Sequence, residues 1–357
     1  MTTLIAFIFV LGVLIFLHEF GHFIFAKLTG IRVERFSLGF PPRAFGKKIG
    51  ETDYCISYIP LGGYCKMAGM IDESLNSKGI EGKPWEFMSK PAYIKALVVS
   101  AGPLMNFLLA VLVFAASSFF VGERIINDKS IIGEVIKGSP AEKAGLMPGD
   151  RITAIGDKKI FKWEEMTGIV HNNPEKILNF SWIHNGKVVS KDIKTRRDTL
   201  IDADGKKVVV GIIGIYPRID TIKVGFISSI GIGFKRTYQL TKLVAISIKK
   251  VVTGKESIKS FGGPIFIAKL AGESARSGIE SLFVFMAFLS LNLGFLNLLP
   301  VPVLDGGHLV FIVLEAILRK PVPVKTKLVI HQIAMALIFL FIIIVTYNDI
   351  IRWLNWK

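Results

Sequence analysis

The sequence predicts a polytopic α-helical membrane protein with four transmembrane helices, a membrane-associated β-hairpin region and an inserted extracytoplasmic α+β domain. Of its 357 residues, 51% are hydrophobic, and the mean hydropathy is +0.51, as is typical of chains that cross a membrane several times. Four apolar stretches each approach the ~20 residues that a bilayer core requires. These stretches cover residues 2–28, 96–122, 281–304 and 328–348.

Basic residues predict how the chain is oriented. The formal net charge is +16. No Lys or Arg precedes the first apolar stretch, whereas nine follow it in residues 29–91 and four lie between the last two stretches. We therefore expect these two loops in the cytoplasm, with both termini and the segment 123–280 outside. Membrane lipids are expected partners. Nucleic acid is not, since no module combines aromatic and basic residues for base recognition.

The first apolar stretch contains His18-Glu19-Phe20-Gly21-His22. Residues four apart share one face of a helix, so both imidazoles can bind one metal ion. Glu19 can then act as the general base toward water, as in zinc hydrolases with this pattern. The first 17 residues carry no charged side chain, and ionisable groups at membrane depth indicate function. A polar packing patch or a cleaved signal peptide explains the pattern less well.

Residues 33–69 are rich in Gly, Pro and aromatic side chains. They contain the alternating run Tyr54-Cys55-Ile56-Ser57-Tyr58-Ile59, which predicts strands joined by turns. Two interpretations stay open: a hairpin on the cytoplasmic surface, or a hairpin that dips into the membrane beside the metal, with its backbone covered by protein or water. Cys55 and Cys65 fall on the predicted cytoplasmic side and are expected to be reduced thiols.

The second apolar stretch opens with polar and small residues. Gly102 and Pro103 allow close helix approach and a local kink, and Asn106 is a lone polar group. We interpret all three as contacts between helices.

The outer segment has the pattern of a compact α+β domain. Ser139 and Pro140 predict a helix start and Gly145 its end, between strands at 133–136 and 150–155. The run from Gly138 to Asp150, Gly-Ser-Pro-Ala-Glu-Lys-Ala-Gly-Leu-Met-Pro-Gly-Asp, resembles the PDZ fold. That resemblance implies a groove for a peptide or a substrate ectodomain; a plug that only blocks access is the alternative. His171 and His184 are expected at the surface.

A further strand is expected over residues 206–217. Residues 226–252 then mix apolar and basic side chains at helical spacing, which predicts an amphipathic helix on the outer membrane surface. Gly262-Gly263-Pro264 interrupts it before another short helix.

The third apolar stretch is interrupted by polar and proline residues: Asn292, Asn297, Pro300 and Pro302. It leads to Asp305, which we expect at the end of a broken helix. Catalytic zinc takes three protein ligands and keeps one position for water, and two His plus Asp305 meet that need. A turn residue before two glycines is the other interpretation. His308 is expected to support the site, and His331 to pack.

Motifs spread over nearly the whole chain resemble the site-2 protease family of intramembrane zinc metalloproteases, in its bacterial regulator-of-sigma-E protease branch. The matching strings are His18-Glu-Phe-Gly-His22, Ile59-Pro-Leu-Gly-Gly-Tyr64, Gly102-Pro-Leu-Met-Asn-Phe107, Gly262-Gly-Pro264 and Asn297-Leu-Leu-Pro-Val-Pro-Val-Leu-Asp-Gly-Gly307.

The resemblance implies Zn²⁺ held by His18, His22 and Asp305, with Glu19 as the catalytic base. It further implies that Asn292, Asn297 and Pro300 help to hold substrate, and that the protein lies in a bacterial inner membrane. Longer members of the branch carry tandem PDZ domains, whereas this chain shows one clear copy. It also has Gly39-Phe40-Pro41 where members often have Gly-Phe-Gly, and a proline there removes a backbone donor.

The expected function is cleavage of peptide bonds in or near transmembrane segments of other proteins, such as anti-sigma factors or remnant signal peptides. Tyr54, Ile56 and Tyr58 would offer a strand edge to the unwound substrate. The expected domains are 1–122 and 281–357 for the membrane regions, 123–218 for the PDZ-like domain and 219–280 for amphipathic helices. The alternatives are a non-catalytic PDZ-bearing membrane adaptor with a structural metal site and a zinc transporter.

Overall fold

The computed structural model describes residues 1–70, 81–201, 207–257 and 262–354. The chain divides into two compact units, one formed by residues 1–120 together with the part from 225 onward, the other by residues 121–224. The described helices are α1 Thr2–Leu28, α2 Ala92–Phe120, α3 Pro140–Ala144, α4 Trp163–His171, α5 Phe226–Val252, α6 Pro264–Arg276, α7 Ile279–Asn297, α8 Asp305–Leu318 and α9 Val324–Leu354.

The described strands fall into the same two units. The first unit contains β1 Val33–Ile49 and β2 Thr52–Met67. The second contains β3 Glu123–Ile126, β4 Ile132–Val135, β5 Arg151–Ile155, β6 Lys158–Lys159, β7 Ile177–His184, β8 Lys187–Lys194, β9 Arg196–Ile201, β10 Lys207–Ile212, β11 Ile215–Pro217 and β12 Ile219–Ile222.

Four helices in the described residues are long and apolar enough to cross a membrane: α1, α2, α7 and α9. The predicted fold class, a polytopic helical membrane protein with an inserted PDZ-like domain, is confirmed. Helix α1 buries one residue in four along a single stripe, at Ala6, Val10, Leu14, His18 and His22. This stripe faces α2 and α6, so the packing that seats α1 also buries both imidazoles.

The third predicted span differs from the observed helix. Helix α7 ends at Asn297 because Pro300 and Pro302 lack the N–H groups that a continuing helix needs. Residues 298–304 form tight turns, and α8 then begins at Asp305. Asp305 therefore stands at the start of a new helix, and its expected position at the end of a broken one is wrong.

Helix α8 is attached to its neighbours by a buried ionic cluster. The Glu315 carboxylate lies 3.6 Å from Lys95 Nζ on α2 and 2.6 Å from Lys327 Nζ on α9, and it accepts a hydrogen bond from the Val322 N–H. Burial opposes ionisation of Glu315, but the hydrogen bonds from Lys327 and Val322 hold the pKa of its carboxyl below its usual range. The cluster fixes the far end of the helix that starts with Asp305.

The hairpin β1–β2 pairs antiparallel and folds over on itself. Residues 35–38 pair with residues 63–66 on one side and with residues 53–56 on the other, and residues 53–56 pair also with 45–48. The segment 53–56 therefore lies inside the sheet, and the expectation that Tyr54 and Ile56 offer a free edge is wrong. The segment 63–66 forms the edge instead, since the described residues show pairing on only one side of it.

Helix α5 has the bounds predicted from its pattern, Phe226–Val252. Its buried residues are small and four apart, at Ser229, Gly233 and Thr237, and a Cβ on Gly233 would lie 2.5 Å from the Val111 carbonyl oxygen of α2. Small residues at this spacing let two helix backbones approach closely. The place of α5 at the membrane surface stays a prediction.

The second unit is the PDZ-like domain. Ser139 caps α3 by accepting a hydrogen bond from the Glu142 N–H, Pro140 stands in its first turn, and Gly145 ends it at φ 92°, as predicted. The four-stranded sheet has the order β6-β5-β7-β8 and packs on a core that includes Phe180 and Trp182. His184 is partly exposed, and its Nδ1 lies 2.7 Å from the Asp150 carboxylate, a contact that the sequence did not predict.

Candidate metal centre

Two buried imidazoles face one another on α1. The ring centroids of His18 and His22 lie 4.8 Å apart, and their Nε2 atoms are separated by 3.2 Å. Because one helical turn separates the two residues, a single helix face presents both nitrogen atoms to the same point.

Asp305 brings a carboxylate to that same point from α8. Its Oδ2 lies 3.1 Å from His18 Nε2, and its Oδ1 lies 3.4 Å from His22 Nε2. The three candidate ligand atoms all lie within 4.8 Å of one another. Asp305 Oδ2 is buried without a hydrogen-bond partner, as expected of an oxygen that binds a metal ion. Two imidazoles and one carboxylate fit Zn²⁺ with one open position.

Hydrogen bonds behind the imidazoles orient them. His22 Nδ1 lies 2.9 Å from the Val98 carbonyl oxygen, which can accept but not donate, so Nδ1 carries the proton and Nε2 is left as a lone pair. A histidine ligand whose other nitrogen is held in this way is a standard feature of metal sites.

Asn106 holds the other imidazole. Its side-chain amide lies 3.2 Å from His18 Nδ1, and its Oδ1 is buried without a partner. Rotating the amide by 180° brings Oδ1 to the Nδ1–H of His18, which satisfies the oxygen and leaves Nε2 for a metal. Asn106 was expected to be only a packing residue; its contact with His18 lies 88 positions away in the sequence, beyond the reach of any local pattern.

Gly102 leaves space for His22. A Cβ built on Gly102 would lie 2.2 Å from His22 Nε2, the candidate ligand atom. The expectation that Gly102 permits close helix approach is thereby confirmed, and the group that comes close to Gly102 is the His22 ring of α1.

The turns before α8 position Asp305. Val303 has φ 87°, a left-handed conformation that costs a β-branched residue on the order of 1–3 kcal/mol. A Cβ on Gly306 would lie 2.1 Å from the Leu299 carbonyl oxygen, so α8 starts directly against these turns. Asp305 is in the first turn of α8, where the helix dipole favours a carboxylate.

A cavity of about 360 Å³ is lined by the three candidate ligands together with residues of the hairpin and of α7. Glu19 lines it, and the Glu19 carboxylate lies beside the backbone N–H of Cys65. The edge strand of the hairpin contributes Gly63, Tyr64 and Cys65, among other residues, to the same wall. The candidate base, the candidate ligands and a strand edge therefore share one cavity.

The residues expected to hold substrate lie in different places. Asn297 lines the cavity, with its amide nitrogen 3.3 Å from His18 Nε2. Asn292 instead donates a hydrogen bond to the Phe288 carbonyl oxygen of its own helix, and Pro300 is exposed. The cavity lining includes neither of these two, and it includes none of Tyr54, Ile56 and Tyr58. Substrate contact by these side chains stays a prediction.

His308 and His331 form a pair behind the metal centre. His308 lines the cavity, and its ring centroid lies 5.1 Å from that of His331. His331 Nδ1 donates to the Lys327 carbonyl oxygen at 2.9 Å. Both histidines thus connect α8 to α9, in keeping with the supporting and packing roles expected for them.

A family model, peptidase family M50, matches residues 6–341 of the sequence. The chain belongs to this family. Zinc metalloprotease RasP of Oceanobacillus iheyensis is 32% identical over 99% of each chain. The regulator of sigma-W protease RasP of Bacillus subtilis is 30% identical over 98% of each. A putative zinc metalloprotease of Rickettsia conorii is 37% identical over 98% of this chain and 99% of its own.

A solved PDZ domain, from the SdrC-like protein of Listeria innocua, is 25% identical, and the match covers 27% of this chain and 100% of that domain with a TM-score of 0.21. The family match, the two RasP relatives and the cluster of His18, His22 and Asp305 together identify this M50 peptidase as an intramembrane zinc metalloprotease of the site-2 protease type, a multi-pass membrane protein that acts on membrane proteins. The predicted family, activity and Zn²⁺ cofactor are confirmed.

Proposed function

We propose that this M50 peptidase hydrolyses peptide bonds within or beside a membrane-spanning helix of its substrate, with Glu19 as the general base. The observation that carries the proposal is the shared cavity, which is lined by Glu19, the three candidate ligands and the edge strand. His18, His22 and Asp305 would hold the zinc ion. When bound, zinc supplies Lewis acidity, which polarises the scissile carbonyl and makes water nucleophilic at neutral pH.

Glu19 performs the proton transfers. Its carboxylate accepts a proton from the attacking water and passes that proton to the leaving amine, as a positioned general base and acid does. The neighbouring Cys65 N–H would favour a position of the carboxylate on the cavity side of α1. The same backbone segment would then fix the base relative to a substrate that lies along the edge.

In a helical substrate the backbone N–H and C=O groups are engaged in internal hydrogen bonds, so the helix must unwind locally before a peptide bond can be cut. An unwound segment can pair with a free strand edge, which supplies backbone hydrogen bonds regardless of sequence. The edge at residues 63–66 is supported for this role by its place in the cavity wall. It replaces the segment 53–56, whose backbone is engaged on both sides.

We further propose that the protein lies in a bacterial inner membrane with the metal centre toward the cytoplasm, and with both termini and the PDZ-like domain outside. The nine basic residues of the loop after α1 support this orientation. In that arrangement the PDZ-like domain meets the outer part of a substrate. A periplasmic-reporter fusion after Lys357 that stays inactive would overturn it.

The test of the proposed function is Glu19→Gln in full-length protein with a reconstituted transmembrane substrate. Glutamine keeps the shape of the side chain but cannot accept the proton. Cleavage should fall on the order of 10²–10⁴-fold while the zinc content stays at the wild-type level. The matched control is His22→Ala, which should lose zinc and activity together.

A Glu19→Gln variant that still cleaves at the wild-type rate would remove Glu19 from the mechanism. A wild-type protein that binds zinc but never cleaves a membrane substrate, with or without chelator, would favour the adaptor with a structural metal site.

A further inference from the structure

A second cavity lies far along α1 from the metal centre, where the first turn of α1, helix α6 and the end of α9 meet. Its volume is about 270 Å³, close to the lower end of the roughly 300–1,000 Å³ of ligand pockets. We call it the α1–α6–α9 cavity. It is lined by Thr3, Ile265, Phe266, Ala268, Lys269, Arg276, Asp349 and Arg352.

The cavity is at the level of a membrane surface. Thr3 lies in the first turn of a candidate span, and Asp349 and Arg352 lie in the last turns of another. The ends of spanning helices mark the boundary between hydrocarbon and headgroups. A ligand in this cavity would therefore sit at headgroup depth.

The charge of the cavity favours an anion. Three of its lining side chains are cationic: Lys269, Arg276 and Arg352. Lys269 lies 3.8 Å from the Glu273 carboxylate of the same helix, and Arg276 donates a hydrogen bond to the Thr3 hydroxyl at 3.4 Å, so the anion site depends on the two arginines. Asp349 is the one carboxylate among the described lining residues, and it is engaged already. Its two oxygens accept hydrogen bonds from the N–H groups of Gly263, at 3.0 Å, and Phe266, at 2.9 Å, at the start of α6.

The remaining wall is apolar. Ile265 is 42% exposed, and the Arg352 guanidinium lies 5.5 Å from the centre of the Phe266 ring. Cations beside exposed aliphatic and aromatic surface match a molecule with an anionic head and a hydrocarbon tail. A free inorganic anion would bind the cations but would leave the aliphatic and aromatic surface uncovered.

We propose that the α1–α6–α9 cavity binds one anionic phospholipid, with the phosphodiester between Arg276 and Arg352 and the acyl chain along Ile265 and Phe266. The lipid would join the beginning of the first span to the end of the last one. The proposal concerns a surface remote from the metal centre and does not depend on the catalytic mechanism.

The experiment is a titration of the full-length protein in detergent with phosphatidylglycerol, followed by native mass spectrometry of the lipid adducts. Phosphatidylcholine with the same acyl chains should bind at least about tenfold more weakly. The double variant Arg276→Gln, Arg352→Gln should weaken phosphatidylglycerol binding by more than about tenfold, because each surface cation contributes roughly fivefold, equivalent to ~1 kcal/mol. Lys235→Gln, Lys242→Gln is the matched control: it removes the same charge from exposed positions on α5 and should change binding less than twofold.

Two further variants separate charge from folding. Arg276→Lys, Arg352→Lys keeps both charges and should keep most of the binding, and Arg276→Gln alone, at an exposed side chain, should weaken it severalfold. Wild-type zinc content in each variant reports an intact membrane unit. Equal affinity for the two lipids, or equal losses in the double variant and the α5 control, would overturn the proposal. Millimolar inorganic phosphate that displaces the lipid would assign the cavity to free phosphate instead.

Discussion

Gly102 shows how single residues set the geometry of the metal centre. Its missing side chain is the space that His22 Nε2 occupies. Gly102→Ala should therefore displace the imidazole and lower the affinity for zinc, together with the cleavage rate, by at least tenfold. Zinc content after dialysis against a weak chelator measures this effect.

The matched control is Gly12→Ala, which also lies in a membrane-spanning helix, α1, but has nothing within 4 Å of the added Cβ. It introduces the same methyl group into a helix and should leave zinc binding unchanged. A Gly102→Ala protein that binds zinc as tightly as the Gly12→Ala protein would show that His22 is not held where the structure has it.

The residues of the centre differ in how far the sequence could predict them. His18, Glu19 and His22 lie within one helical turn, so their spacing alone indicates a metal site with a base. Asp305 could be predicted from its chemistry, as a carboxylate beside two glycines in an apolar region. Asn106 could not, because its role depends on contact with His18 across two helices. The left-handed backbone of Val303 likewise follows from the turns between α7 and α8 and has no signature in its own side chain.

Among the secondary-structure elements, the hairpin differs most from its prediction. Alternation predicted strands at residues 54–59, and strands are present, but the pattern of one strand does not show which neighbours pair with it. The fold-over of β1 and β2 puts residues 53–56 inside the sheet and residues 63–66 at its edge. The edge, and with it the substrate-binding segment, depends on this long-range pairing.

A photo-crosslinking residue distinguishes the two segments. Benzoyl-phenylalanine in place of Tyr64, in the cavity wall, should capture a transmembrane substrate in the Glu19→Gln background. The same residue in place of Tyr58, which is 70% exposed and outside the cavity lining, is the matched control and should give little product. More crosslinked substrate from position 58 than from position 64 would restore the segment 54–59 as the binding strand.

Helix boundaries followed the sequence where caps and breakers are local. Helix α5 has its predicted bounds, and Ser139, Pro140 and Gly145 set those of α3. Helix α8 was missed, because its apolar residues continue those of the third predicted span, with Asp305 as the only carboxylate before Glu315. The change of direction between α7 and α8 follows from Pro300, Pro302 and the turns they impose. The far end of α8 is held by the buried ion pairs of Glu315 with Lys95 and Lys327.

For the whole molecule, the sequence predicted the fold class because membrane spans and a PDZ-like motif both have strong local patterns. The structure adds how the parts of the membrane unit meet. Helices α1 and α8 carry ligands that are nearly 290 positions apart in the chain, and α2 lies behind both imidazoles with Val98, Gly102 and Asn106. The catalytic account depends on this convergence at a single metal ion.

X-ray absorption at the zinc edge of an Asp305→Cys variant, compared with the wild type, tests that convergence most directly. The wild-type zinc should have nitrogen and oxygen neighbours at ~2.0–2.2 Å and no sulfur, even though Cys65 lines the cavity. The variant should gain one sulfur neighbour at ~2.3 Å. A fully loaded variant with the wild-type spectrum, or a wild-type centre that already contains sulfur, would contradict the account.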